Sequence, residues 1–309
     1  MIEVENLTKY YGTNLALDKV SFTVEKGIVM GFLGPNGAGK STTMKIITGF
    51  LSPTEGTVRV DDLDIVENSL EVRKRIGYLP EHPPLYLDMS VKNYLEFAAK
   101  IRGIPFKKVK ESVNIVVEKC GLQKYYRSQC NSLSKGYRQR VGIAQAMVHE
   151  PMVLILDEPT IGLDPIQIVE IRNLIKSFGG DHTVILSTHI LPEVDMTCEK
   201  MIIINEGMVV TEGSTTNLRE RLPHNNQLIL TVRGETTVFQ SKVAQLGGIT
   251  GVSGEVTPHG ATIIKIETED AGEISPEVAR LAVNENLQLL ELKNMTPTLE
   301  EIFIKATMN

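Results

Sequence analysis

Nine consecutive residues carry chemistry that the rest of the chain must serve: Gly34-Pro35-Asn36-Gly37-Ala38-Gly39-Lys40-Ser41-Thr42. They fit the pattern G-x-x-x-x-G-K-[ST], in which glycines let successive backbone N–H groups curl around phosphate oxygens. The apolar run Ile28-Val29-Met30-Gly31-Phe32-Leu33 leads in, and Thr43-Met44-Lys45-Ile46-Ile47-Thr48 leads out with helical spacing before Gly49. In that strand–loop–helix setting the positive end of a new helix faces a bound anion. Lys40 then reaches the β- and γ-phosphates of a nucleotide, and the Ser41 hydroxyl is a ligand for Mg²⁺.

A second stretch, Val153-Leu154-Ile155-Leu156-Asp157-Glu158-Pro159, ends four apolar residues on two carboxylates. Such a run predicts a strand buried on both faces, as in parallel sheets. Acids at its end are costly in a core unless a cation or a water uses them. Asp157 is a candidate to hold Mg²⁺, and Glu158 to polarise an attacking water. Another apolar strand, over residues 183–187, ends in Thr188-His189. Open α/β sheets bind ligands at the carboxyl ends of their strands, so His189 falls near the γ-phosphate if its strand lies beside that of Asp157. Away from that sheet it reads as an ordinary surface histidine. His82, His149, His182, His224 and His259 have no comparable neighbours.

The elements that must position these groups follow from spacing and breakers. Strands are predicted at residues 2–6 and 20–24, separated by Tyr10-Tyr11-Gly12-Thr13, where Tyr11 either stacks on a base or packs at a strand end. A turn at residues 52–56 leads to a strand at 56–60. A strand at 76–79 then meets the stiff connector Pro80-Glu81-His82-Pro83-Pro84. Ser90 caps a helix to about residue 102 with Val91, Tyr94, Leu95 and Ala98 on one face, and a second helix runs over 105–120 until Gly121. Ser134 stands at the N-cap of a third helix. Gly162-Leu163-Asp164-Pro165 is a turn before a helix at about 166–178, and residues 201–205 and 208–212 form a hairpin around Glu206-Gly207. A short helix at 218–222 meets the polar break Pro223-His224-Asn225-Asn226. Beyond it come strands at 228–232 and 262–267, a helix from Ser275 with Pro276 in its first turn, and a strand at 288–292. Thr298 and Glu301 make a capping box for a last helix. This order predicts an α/β domain over residues 1–222, with a helical subdomain inserted at about 82–150. A small α+β domain over residues 226–309 follows and carries no catalytic constellation; regulation, partner docking, dimer stabilisation and plain packing all suit it.

Bulk properties narrow the class. The 309 residues are 42% apolar and 23% charged, an ordinary globular balance. A formal net charge of −6 argues against a general nucleic-acid binder. No apolar run approaches the roughly 18 residues of a membrane helix, and the acidic start Met1-Ile2-Glu3-Val4-Glu5 lacks a signal peptide's basic region. The expectation is a cytosolic chain unable to cross a membrane alone. Cys120, Cys130 and Cys198 lack metal-ligand spacing and read as free, partly buried thiols.

Taken in order, the motifs resemble the ATP-binding subunit of an ABC transporter over residues 1 to about 215. Residues 34–42 look like its Walker A loop, 133–137 its signature, 153–158 its Walker B strand, 162–165 its D-loop, and His189 its switch histidine. The resemblance implies a P-loop NTPase cassette with a mixed central sheet, and ATP hydrolysis coupled to transport with Mg²⁺. It implies Tyr11 stacked on adenine, Lys40, Glu158 and His189 in catalysis, and Ser41, Asp157 and Glu81 near the metal. It further implies a head-to-tail dimer in which each ATP is held by Walker A of one chain and by Ser134 and Gly136 of the other, with Asp164 at the same interface. The implied partner is an integral membrane permease, with this chain peripheral on the inner face of the cell membrane and no nucleic acid bound.

Two departures stand out. The signature reads Leu-Ser-Lys-Gly-Tyr where the family has Leu-Ser-Gly-Gly-Gln, keeping Ser134 and Gly136 while Lys135 adds positive charge. Glu81 stands where the family has glutamine, and a carboxylate is the stronger Mg²⁺ ligand but adds negative charge beside the γ-phosphate. The connector and the tail Leu299-Glu300-Glu301-Ile302-Phe303 look like the ABC-2 exporter branch. Glu81-His82-Pro83-Pro84-Leu85-Tyr86 is similar to ATPases linked to bacterial gliding-type exporters. An import ATPase with a C-terminal regulatory domain is an alternative. So is a soluble ABC ATPase of translation or DNA repair, although such proteins carry a second cassette or a long coiled coil.

Overall fold

Alternating apolar residues at the start of the chain pair into a hairpin, β1 (Ile2–Tyr11) and β2 (Asn14–Val24), which turns at Gly12-Thr13. Both strands are longer than their hydrophobic pattern predicts. Asn6 and Lys19 take φ of 48° and 47°, and the register shifts between Val4 and Leu7, so the alternation breaks mid-strand. The computed structural model describes residues 1–220, 226–257, 260–268 and 271–295, together with Phe303. The chain divides into two units, Met1–Thr215 and Thr216–Ile302.

In the first unit, β3 (Val29–Leu33) leads through the glycine-rich loop into α1 (Lys40–Ile47). Then come β4 (Glu55–Val60), β5 (Leu63–Asp64), α2 (Ser69–Arg75) and β6 (Ile76–Leu79). The next stretch is helical or irregular, with α3 (Val91–Ile101), α4 (Phe106–Lys119) and α5 (Lys135–Met147). There follow β7 (Val153–Asp157), α6 (Pro165–Lys176), β8 (Thr183–Thr188), α7 (Leu191–Thr197), β9 (Lys200–Asn205) and β10 (Met208–Ser214); α8 (Thr215–Glu220) starts at Thr215, at the edge of this unit, and otherwise belongs to the second.

The central sheet has the order β10-β9-β3-β8-β7-β6; all its pairs are parallel except β10 on β9. Strands β3, β7 and β8 are buried along their whole length, as a sheet covered on both faces requires. An antiparallel sheet, β2-β1-β4-β5, shares one core with it. Met44, Ile46 and Ile47 of α1 join that core, and the Phe22 and Phe32 rings meet at 5.4 Å between centroids. The carboxyl ends of β3, β7 and β8 therefore share one rim, with α1 rising from it.

The helical stretch is tied to this sheet at glycine distance. A Cβ on Gly77 of β6 would lie 2.1 Å from the Ala146 carbonyl oxygen of α5, and one on Gly142 would lie 2.6 Å from Leu79 Cδ1 and 3.0 Å from Pro83 Cβ. Backbone cannot yield as a flexible side chain does, so Gly77→Ala is expected to destabilise the fold by about 3 kcal/mol. A urea midpoint equal to that of the native protein would contradict this close approach. In α3, Ser90 Oγ accepts from Asn93 N at 3.2 Å, and Val91, Tyr94, Leu95 and Ala98 are buried as their spacing predicts.

The second unit contains β11 (Asn226–Arg233), α9 (Thr237–Val243), β12 (Ile249–Val256), β13 (Thr262–Thr268), α10 (Ala271–Asn284) and β14 (Gln288–Met295). Its antiparallel sheet, β12-β13-β11-β14, packs Leu228, Leu230, Val232, Ile264 and Ile266 against Phe239, Val243, Ile274 and Val278 of the two helices. Helix α10 begins before the position predicted from Pro276, which lies inside it. Ala271, Ile274, Val278 and Ala282 are all buried on one face, and that burial outweighs the backbone bond a proline forgoes. The break at 223–225 and the capping box of Thr298 lie outside the described residues.

Cys120, Cys130 and Cys198 are free and fully inside rather than partly buried. Burial pushes the Cys120 thiol up to about 12 and raises the other two. No helix among the described residues is long and apolar enough to cross a membrane.

Candidate functional site

The loop between β3 and α1 is shaped by close contacts that only glycine allows. Gly39 caps α1 at φ 103°, where a Cβ would lie 2.6 Å from Leu17 Cδ2 and 2.9 Å from the Ala16 carbonyl. A Cβ on Gly34 would lie 2.4 Å from the Ile204 carbonyl. Gly34 N donates to the Thr188 carbonyl at 3.4 Å, tying the loop to β8. Asn36 and Gly37 are exposed at the tip while Ala38 is buried beneath it.

Lys40 opens α1 and is only 5% exposed. Its ammonium folds back on the loop, donating to the carbonyls of Gly34 at 2.8 Å and Pro35 at 3.1 Å, and lies 3.4 Å from Glu158 Oε1. The next residue, Ser41, donates through Oγ to Asp157 Oδ1 at 3.2 Å.

Parallel pairing of β7 with β8 sets Asp157 opposite Ser187. Ser187 is fully buried; its hydroxyl donates to Asp157 Oδ1 at 2.5 Å and accepts from Glu158 N at 3.1 Å. Glu158 sits in the left-handed region at φ 48°, a strained backbone for a non-glycine residue. That twist turns its buried carboxylate so that Oε1 faces Lys40 and Oε2 lies 2.9 Å from His189 Nδ1. Glu158 thus joins the lysine to the histidine. Thr188 donates to Glu193 Oε2 at 2.7 Å and accepts from Ile190 N at 3.1 Å, which fixes the chain on either side of His189.

These groups open onto a cavity of about 360 Å³ lined by Asn36, Gly37, Gly39, Lys40, Ser41 and Thr42 from the loop, with Glu81, Glu158, His189, Ala16 and Ile161 around it. Seven candidates named from sequence for the phosphate and catalytic roles, including Glu81 from the distant connector, therefore line one space with their glycine neighbours. Tyr11, Ser134, Gly136 and Asp164 are elsewhere. Tyr11 ends β1, 47% exposed, with Lys9 Nζ 5.6 Å from its ring centroid. Ser134 caps α5, its Oγ accepting from Tyr137 N at 3.4 Å. Asp164 caps α6, its Oδ1 accepting from Gln167 N at 2.9 Å. Gly136 is buried against the same glutamine, whose Oε1 would stand 2.5 Å from a Cβ there.

Sequence reasoning missed Ser187, Ala16 and Ile161. For Ser187 a signal existed: it is a hydroxyl closing the run Thr183-Val184-Ile185-Leu186. For the other two there was none, because an alanine in a strand and an isoleucine in a turn announce nothing.

Ser41, Asp157 and Glu81 present only oxygen donors, the set that suits a hard cation such as Mg²⁺. Ser41 and Asp157 are already within hydrogen-bonding distance. No cluster of three or more His, Cys, Asp or Glu fit to hold a metal occurs among the described residues. Mg²⁺ needs none here, since it takes one or two carboxylates together with substrate phosphate oxygens.

Comparison with known proteins agrees with this geometry. The family model described as ABC transporter matches residues 17–161. The ABC transporter ATP-binding protein YhcH of Bacillus subtilis is 33% identical over 99% of this chain and 96% of its own length. The bacitracin transport ATP-binding protein BcrA of Bacillus licheniformis is 32% identical over 99% and 96% of the two chains. Among solved structures, the dimeric bacterial ABC transporter cassette MJ0796 superposes with a TM-score of 0.62 at 27% identity, covering 69% of this chain and 98% of that one. Similarity along nearly the whole chain, on top of a shared cassette fold, makes this protein a member of the ABC transporter family: an ATP-binding subunit of the kind that hydrolyses ATP to power transport.

Proposed function

We propose that this chain is the ATPase subunit of an ABC-2 type exporter, acting as an ATP-dependent head-to-tail pair on the cytoplasmic face of a membrane permease. The observation that carries the site assignment is the Lys40–Glu158–His189 chain in the phosphate-loop cavity. The N–H groups of residues 34–42 cradle the phosphates, and Lys40 exchanges its loop carbonyls for β- and γ-phosphate oxygens. Glu158 takes a proton from the water whose oxygen attacks the γ-phosphorus as the bond to the ADP oxygen breaks. His189, bonded to the same carboxylate, orients it and steadies the γ-phosphate. Ser41 and Asp157, with Glu81 directly or through water, would hold Mg²⁺, which supplies positive charge against the phosphate oxygens when bound.

Ser134 and Gly136 lie outside the cavity of their own chain, which supports a role on the ATP of the partner; so does the dimeric state of the MJ0796 cassette. Asp164 sits beside them through Gln167, and Tyr11 offers an exposed ring for adenine. The exporter assignment rests on relatives named for bacitracin transport and linearmycin resistance. The unit from Thr216 supplies none of these groups, and we assign it partner docking or dimer support.

Affinity purification of the tagged full chain from detergent-solubilised membranes tests the reading. Recovery of a polytopic membrane protein alone is expected. Co-recovery of an extracellular solute-binding protein would mark an importer, and recovery of ribosomes or DNA would overturn the transport assignment.

A further inference from the structure

Strand β6 delivers to the site a side chain that no role above uses. Tyr78 pairs with Ile155, two residues before Asp157, and lies three residues before Glu81. Its ring packs on the main core, but its hydroxyl is buried without a hydrogen-bond partner among the described residues. Leaving such a donor unsatisfied costs about 1–3 kcal/mol, so phenylalanine would serve the core of the nucleotide-free protein better. Burial raises the pKa of this hydroxyl and keeps it protonated, and the negative charges of Asp157 and Glu81 push it the same way. The hydroxyls of Ser41 and Ser187 both bond Asp157 at Oδ1. Among the described residues the side-chain bonds to Asp157 all fall on Oδ1, which leaves Oδ2 for a water bridging from β6.

We propose that the Tyr78 hydroxyl is a positioning donor for the water shell linking Asp157 and Glu81 when a nucleotide and its divalent cation are bound. The proposal rests on the reading of Asp157 and Glu81 as groups facing the cation. Tyr78 touches neither the γ-phosphorus nor the attacking water; it holds the oxygens around the cation in place. The donor that is unsatisfied in the free protein gains its partner only in the loaded one.

Tyr78→Phe removes this one oxygen. Without nucleotide, the thermal midpoint of the variant is expected to equal or exceed that of the native protein. With ATP present, the Mg²⁺ concentration giving half of the ATP-induced shift in midpoint is expected to rise about three- to tenfold, the equivalent of one lost hydrogen bond. ATP binding in excess EDTA should be unchanged. Asp157→Asn serves as the reference and should move the Mg²⁺ titration further. A lower midpoint in the nucleotide-free variant would mean that the hydroxyl has a structural partner, and would overturn the proposal. A native Mg²⁺ titration in Tyr78→Phe beside a shifted one in Asp157→Asn would also overturn it. Native titrations in both variants would instead bring down the metal-site reading on which it rests.

Discussion

Replacing Lys40 by alanine is expected to weaken ATP binding by roughly two to four orders of magnitude. The ammonium is held in the loop by two carbonyls at 2.8 and 3.1 Å, so it is ordered before the phosphates arrive. Exchanging those bonds for phosphate oxygens yields charge-assisted contacts worth about 1.5–3 kcal/mol each. Losing two of them lowers affinity by roughly a hundredfold to ten-thousandfold. The variant also strips Glu158 of its cation, leaving a buried carboxylate beside His189 to repel the incoming triphosphate. Titration calorimetry measures this directly. Native affinity in Lys40→Ala would remove the loop from the nucleotide site.

Glu158→Gln is expected to stop turnover while preserving binding. The amide keeps the volume of the acid, its oxygen facing Lys40 and its NH2 group donating to His189 Nδ1, but it cannot take the proton of water. Loss of a general base lowers the rate roughly a hundredfold to ten-thousandfold. If the γ-phosphate is gripped by one chain's loop and the other's Ser134 and Gly136, blocked hydrolysis stalls the pair in its closed state. The variant should elute from a sizing column as a dimer with ATP and Mg²⁺, and as a monomer with ADP. Adding Ser134→Arg fills the phosphate seat on the opposing chain without touching the loop, and should return the ATP-bound protein to monomer. A double variant that still dimerises on ATP would show that α5 does not complete its partner's site.

What the sequence reveals about this site depends on how local the chemistry is. The loop at 34–42 is legible because glycine spacing, lysine and serine must be contiguous to wrap a phosphate. Asp157 and Glu158 are legible because acids at the end of an apolar strand conflict with burial. His189 needed one further inference, that its strand neighbours theirs, and β7–β8 pairing supplies it. Ser187 is marked only by the hydroxyl that closes its apolar run, and Tyr78 not at all. Both look like ordinary strand residues until the parallel register sets them against Asp157 and its neighbourhood. Strand lengths in the first hairpin were underestimated because bulges at Asn6 and Lys19 erase the period-two signal. Strand β12 carries no strand signal in the sequence, because Gly251 and Gly254 interrupt its apolar pattern while backbone pairing with β13 holds it extended.

The glycine contacts between β6 and α5 have a mechanical consequence. Gly77 meets the Ala146 carbonyl backbone to backbone, and the Gly142 backbone packs directly on the Leu79 and Pro83 side chains, so little compliant material separates strand and helix. Helix α5, about 20 Å long at 13 residues, is therefore clamped to the strand and the proline connector toward its C-terminal end, while the exposed Ser134 stands at the other. A small push on the connector cannot be absorbed by compression at the clamp. It tilts the helix as a stiff lever, and the displacement is largest at the end that carries Ser134.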